Sequence, residues 1–297
     1  MEKTKIHHSS NSNNESSLFP YVLLNFFEEN SIAIDNLEVW YSQQKNNLYA
    51  MWPEIKQISA IVEKQVKQNG YTVVSCLGLK NFTRKTKELA LFTFLSSLGE
   101  LTIHSTKDFF WDIKHRQNMK KEDNTTFSEQ YGECPLHSDS AFSEFPERYL
   151  TMYVIQPASD GGDSVFVSME KLASEIKKTP DGVKCLSILS NECFPFETPS
   201  SFNKSTPIFL SPILGEGNKI RFRYDCIIKG FEKRPDLQTS EKMWAVDFFN
   251  NYLQYKATRN VFSADEDQLI IIDNHYGLHA RTDFLDEKRH LLRARIA

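Results

Sequence analysis

Apolar positions change period along the chain, and that change separates helices from strands. After Pro53, Ile55, Ile58, Val62 and Val66 recur at three- and four-residue steps, which predicts an amphipathic helix ended by Asn69-Gly70. A strand is expected over residues 71–79 and a second helix over 85–98, stopped by Gly99. Beyond residue 130 alternating and continuous apolar runs take over. Strands are expected over 149–155, 164–167, 219–224, 268–273 and 289–296, with a turn-rich stretch at 157–163. Helices are expected over 169–177 and 239–255. Residues 194–212 are dense in Ser, Thr, Pro and Phe without a period, and a stretch of that kind reads as a lid or binding loop. Strands outnumber helices after residue 130, with no linker or repeat. The chain therefore reads as mainly β with flanking α-helices, a β-sandwich or jelly roll.

Residues 1–17 are polar and rich in Ser and Asn, the composition of a disordered tail, which leaves 18–297 as a single domain. No apolar core for translocation is visible in that tail. The most apolar run, around residues 89–98, is too short to span a bilayer, so no membrane partner is expected. Hydrophobic residues make up 40% of the chain, with 22 Phe and 11 Tyr, enough for a substantial core. A net charge of −4 gives no electrostatic footprint for nucleic acid. Five cysteines without CxxC spacing argue against a disulfide framework and for a reducing, cytoplasmic setting. The oligomeric state is not legible.

Two elements about half the chain apart carry candidate chemistry: His137-Ser138-Asp139, and His279 after an apolar strand. Two imidazoles and one carboxylate are the set that holds Fe(II) with open positions. On a strand, residues two apart share a face and sit about 7 Å apart, so His137 and Asp139 could converge on one ion. Alone, the triplet reads equally as a surface hydrogen-bonded pair. His275 lies four residues before His279, but Gly277 argues against a helix there, so His275 reads as a turn residue. In the last strand, alternation places Arg289, Leu291, Arg293 and Arg295 on one face. That face is either a solvated basic edge or a buried one that needs anions. Arg289 and Arg293 sit roughly 13 Å apart, which suits two acidic groups better than one.

These residues, in this order, resemble the taurine dioxygenase (TauD/TfdA) family of Fe(II)/2-oxoglutarate-dependent oxygenases, including its clavaminate-synthase-like, amino-acid-hydroxylating branch. The resemblance spans roughly residues 70–297. It rests on Leu-His-Ser-Asp-Ser, Pro146-Glu147-Arg148-Tyr149-Leu150, Gly161-Gly162-Asp163-Ser164, Asp273-Asn274, Leu278-His279-Ala280-Arg281-Thr282 and Arg289 to Arg293. It implies a double-stranded β-helix (jelly-roll) core and an oxidoreductase that uses O2 and 2-oxoglutarate as co-substrates. It further implies His137, Asp139 and His279 as iron ligands, Arg289 and Ser164 as contacts of the distal 2-oxoglutarate carboxylate, and Arg293 as a holder of the substrate's acidic group. The reaction implied is hydroxylation of an unactivated C–H, with release of succinate and CO2. Asp139 stands where the amino-acid branch commonly has Glu, Ala280 where Gly is frequent and Ser164 where Thr is usual. A carboxylate at 139 points to oxygenation rather than halogenation.

Asp225 matches a substrate-contact region and reads equally as a strand-end turn acid; Ser128 is a similar candidate. Arg293 for an acid and Asp225 for an amine would suit a small amino-acid-like substrate, as in the biosynthesis of a secondary metabolite. The same cofactor site could instead serve desaturation, cyclisation or sulfonate cleavage. Readings of another class are a zinc hydrolase on the same ligands, or a non-catalytic β-sandwich binding protein.

Overall fold

The structure, a computed structural model, describes residues 17–30, 36–104, 107–114, 132–199 and 208–297. All but the last residue of the expected disordered tail, together with Ser128, lie outside the described residues. Four helices come first: α1 (Tyr21–Asn30), α2 (Leu37–Met51), α3 (Ile55–Asn69) and α4 (Arg84–Leu95). α3 buries Ile55, Ile58, Val62 and Val66, and Gly70 ends it at φ +81°, a left-handed conformation that a residue without Cβ adopts at little cost. α1 and α2 are not announced by the sequence. Their buried residues, Leu23, Leu24 and Phe27 in one and Tyr41 and Leu48 in the other, are too sparse to show a period.

The strand expected over 71–79 stops early, as β1 (Tyr71–Val74). Cys76 and Gly78 take positive φ. The Asp267 carboxylate accepts from the N–H groups of Gly78 and Leu79 and from the Tyr153 hydroxyl. Backbone donors that a longer strand would commit to a ladder are satisfied there instead.

Two antiparallel sheets form the core. The larger has the order β1, β9 (Leu269–Asp273), β4 (Tyr149–Gln156), β11 (His290–Ile296), β2 (Trp111–Lys114). The smaller runs β3 (Cys134–His137), β10 (Gly277–Arg281), β5 (Ser164–Ser168), β8 (Asn260–Phe262). Strand alternation explains why residues 269–272 of β9 are all apolar. Ile270 and Ile272 join Leu150, Val154, Phe166, Phe262 and Leu291 between the sheets. Leu269 and Ile271 face the other way, with Tyr149, Tyr153, Leu292, Ala294 and Ile296, into the layer of N-terminal helices. β11 lies between β4 and β2, so the solvated basic edge is ruled out: Arg289, Arg293 and Arg295 are 7–8% exposed.

The remaining elements close the other side of the smaller sheet. They are α5 (Met169–Ile176), α6 (Pro180–Asn191), the hairpin β6 (Phe194–Glu197) with β7 (Ile208–Ser211), α7 (Tyr224–Lys233) and α8 (Ser240–Tyr255). Their apolar cluster reaches Val167 of β5 and Leu278 of β10. Two expectations are corrected here. Residues 194–212 are not one long loop, because both ends pair as β6 and β7 and Phe194 and Phe196 are buried. Residues 219–224 are extended but join no sheet. Ile220 forms one isolated bridge with Leu214, Phe222 bonds to Ser138, and Tyr224 opens α7. Among the described residues no helix is long and apolar enough to cross a membrane.

One packing contact ties the helical layer to the smaller sheet. Phe166 of β5 pairs with His279 of β10, and its ring lies against both Gly70 and Gly277. A Cβ on either glycine would lie 2.1 Å from a ring carbon. We expect Gly277→Ala to cost about 1–3 kcal/mol through overpacking, measured as a lower urea midpoint. Gly215→Ala, whose new Cβ would have its nearest neighbour at 3.6 Å, serves as the neutral control.

Candidate active site

The two sheet-borne histidines are neighbours by strand register. His137 ends β3 and pairs directly with His279 of β10, their ring centroids 4.4 Å apart. Asp139 does not share the strand with His137, as the period-two argument expects. β3 ends at His137, and Asp139 occupies the turn that follows, where Ser140 takes φ +52°. The result is still convergent: one donor atom from each of His137, Asp139 and His279 lies within 4.8 Å of the others, and all three residues are buried.

Backbone clamps hold this turn. Ser138 and Phe222 exchange bonds, Ser138 N–H to the Phe222 carbonyl at 2.8 Å and Phe222 N–H to Ser138 Oγ at 2.9 Å. The Asp139 N–H donates to Asn274 Oδ1 at 2.7 Å, while Asn274 Nδ2 donates to the carbonyls of Asp139 and Glu147. Arg221 donates to the carbonyls of Ala141, Ser143 and Glu144, and its guanidinium lies over the Phe209 ring at 4.6 Å. Burial pulls the Arg221 pKa down to about 10, so it stays cationic at neutral pH. His275 sits in the turn between β9 and β10, with its Nε2 3.0 Å from the Pro146 carbonyl.

The two oxygens of Asp139 face different groups. Oδ1 lies 3.5 Å from His137 Nε2 and 3.6 Å from His279 Nε2. His137 Nδ1 is 2.9 Å from the Pro135 carbonyl, an oxygen that can only accept, so Nδ1 donates there and Nε2 is the ring nitrogen turned to Asp139. Burial, then the fields of His137 and Arg295, hold His279 well below the usual histidine range. One carboxylate oxygen thus faces the Nε2 atoms of two imidazoles. Such a set fits a cation.

Oδ2 faces two guanidiniums. Arg293 donates to it, and Arg295 Nε lies 3.3 Å away, at ion-pair distance but without hydrogen-bond alignment. Arg295 also reaches Glu147 at 3.4 Å. The Trp111 ring covers both, 5.4 Å from Arg293 and 5.0 Å from Arg295, and His104 stacks on the indole at 4.2 Å.

Arg289 occupies a separate corner, as its distance along the strand from Arg293 suggests. The Gly161-Gly162 turn has two positive φ values, and a Cβ at Gly162 would lie 3.0 Å from Arg289 Nε. That close approach brings the chain into Ser164, which opens β5 opposite Arg281. Arg289 reaches the Gly162 carbonyl at 3.5 Å and lies 4.9 Å from the Phe284 ring, whose other neighbour is Arg281. Burial, with help from Arg281, lowers its pKa to about 10. No carboxylate among the described residues forms an ion pair with it, although a buried guanidinium favours one.

Asp225 is paired with Arg223: it sits in the first turn of α7 and accepts two bonds from that guanidinium, at 3.0 and 3.2 Å. Arg295, Glu147, Trp111, Asn274 and Arg221 all surround the site without having been singled out as site residues from sequence. Alternation had placed Arg295 on the right face; nothing in the sequence signals Arg221. We expect Arg221→Met, which keeps contact with Phe209 but frees the turn, to weaken metal binding about 10–100-fold, measured by anaerobic Fe(II) titration.

Comparison with known proteins adds the lineage. No curated protein sequence matches the chain. An asparagine oxygenase, solved with Fe(II), a hydroxyasparagine and succinate, superposes with a TM-score of 0.69 at 15% identity, covering 93% of this chain and 90% of its own. The non-heme iron oxygenase OrfP, solved with Fe and alpha-ketoglutaric acid, gives 0.65 at 15% identity over 94% and 93%. PvcB of Pseudomonas aeruginosa gives 0.55 at 16% identity over 80% and 79%. At these identities the likeness is one of fold. A family model, described as taurine catabolism dioxygenase TauD, TfdA family, matches residues 76–295, and the chain belongs to that family.

Proposed function

We propose that the protein is an Fe(II)- and 2-oxoglutarate-dependent dioxygenase that hydroxylates an unactivated C–H of a small amino-acid-like substrate, releasing succinate and CO2. The observation that carries the reading is the convergence of the triad: a buried carboxylate oxygen turned toward the Nε2 atoms of two buried imidazoles. His137, Asp139 and His279 would hold the iron. Held there, Fe(II) would supply the oxidising chemistry, with O2 and 2-oxoglutarate as co-substrates.

The chain's own residues bind, orient and exclude water. Arg289 receives the distal carboxylate of 2-oxoglutarate, the anion that its corner lacks, and Ser164 donates a further bond to it. The Pro135 carbonyl fixes the His137 ring, and Asn274 with the Ser138–Phe222 exchange fixes the Asp139 backbone. Arg293 and Arg295 hold Oδ2, which leaves Oδ1 for the metal. Phe284 and Trp111 wall the two arginine corners and keep water from them. The neighbours solved with a hydroxyasparagine and with a hydroxy-L-Arg support an amino-acid-like substrate. Arg293, Asp225 and Ser128 are its candidate contacts.

Anaerobic addition of Fe(II) and 2-oxoglutarate should give the weak visible charge-transfer band of the chelate, and air should then yield succinate. Intact protein giving neither would sink the reading. His137→Ala should abolish iron binding. Arg289→Ala should keep iron but raise the 2-oxoglutarate requirement about 10–150-fold, the range for a lost charge-assisted hydrogen bond.

A further inference from the structure

The charges around Asp139 do not balance for a zwitterionic substrate. Arg293 and Arg295 are both buried at the centre of the site. Among the described residues, the carboxylates that touch them are Asp139 and Glu147. Asp139 is also the carboxylate turned to the imidazoles, so a bound metal cation would share its charge. Glu147 would then be left as the dedicated counter-ion of two guanidiniums.

Hydrogen bonding tells the same story. Among the described residues, the Nε atoms of Arg293 and Arg295 are buried without a hydrogen-bond partner. Glu147 reaches Arg295 only at 3.4 Å, and its other oxygen has no hydrogen-bond partner among the same residues. Trp111 covers both guanidiniums, an interaction made by an aromatic face that leaves N–H edges in need of an acceptor. Buried donors of this kind call for an oxyanion. An ammonium would find little welcome beside them. Asp225, the carboxylate suited to an amine by sequence, already accepts two bonds from Arg223.

We infer that the substrate is a net anion whose oxyanionic group is received by Arg293 and Arg295 together, with Glu147 setting how much positive charge the pair presents. Arg295 is the specificity-determining residue in this arrangement, because without it Glu147 would cancel Arg293, and with it one positive charge is left over for a net anion. An amino-acid-like molecule of this class carries a second acidic group or an acylated amine. The inference rests on the proposed cofactor chemistry.

The test uses the full-length protein under argon with Fe(II) and saturating 2-oxoglutarate, reading shifts of the chelate band as probes are added. The probes are L-aspartate and N-acetyl-L-aspartate as anions, L-asparagine as a zwitterion of matched size, and L-arginine as a cation. At least one anion should shift the band with an affinity at least about tenfold above L-asparagine, the lower end for a charge-assisted contact. Arg295→Gln should erase that preference. Glu147→Gln should move affinity the opposite way, tightening the anion, which a merely structural role for the pair would not do. L-asparagine or L-arginine binding as well as the anions would overturn the inference, as would anions that leave the band unmoved or bleach it by displacing 2-oxoglutarate. Failure to form the band at all would instead count against the cofactor reading beneath it.

Discussion

Everything in this site depends on one carboxylate being buried between opposite demands. Asp139 turns one oxygen to two imidazoles and the other to two guanidiniums. Burying an isolated carboxylate costs several kcal/mol even after relaxation, so the surroundings must supply positive charge on both sides. Arg293 and Arg295 supply it on one side from β11, in the middle of the larger sheet. The other side faces the two imidazoles, where the proposed iron would sit.

The sheets explain how such a concentration of charge is tolerated. β11 presents Leu291 to the intersheet core and Leu292, Ala294 and Ile296 to the helical layer. Apolar burial on both faces holds the strand, and the arginines ride on it. β10 is held by β3 on one side and β5 on the other, so His279 is fixed between His137 and Phe166. Trp111 then covers the guanidiniums with a ring rather than with water.

Much of this was legible in the sequence, for definite reasons. The period of three and four marked α3, and alternation marked β4, β5 and β11. The convergence of His137, Asp139 and His279 was readable because the first two are close in sequence and the third follows an unmistakable apolar strand. Other features depend on what lies opposite, which a sequence does not display. Ile220 and Phe222 alternate as a strand would, yet their hydrogen bonds go to the turns at His275 and Ser138 rather than to a ladder. Arg221 is readable only from the three carbonyls it meets, and Arg295 only from sharing Asp139. The hairpin of β6 and β7 escaped notice because its two strands are four residues each and flank a stretch without pattern.

The turn that bears Asp139 has a further consequence. Its shape is maintained by bonds to Asn274, Phe222 and Arg221, every one of them between protein groups. The turn's own hydrogen bonds therefore include no metal contact among their partners. On the proposed reading iron would be an exchangeable part of the centre rather than its keystone.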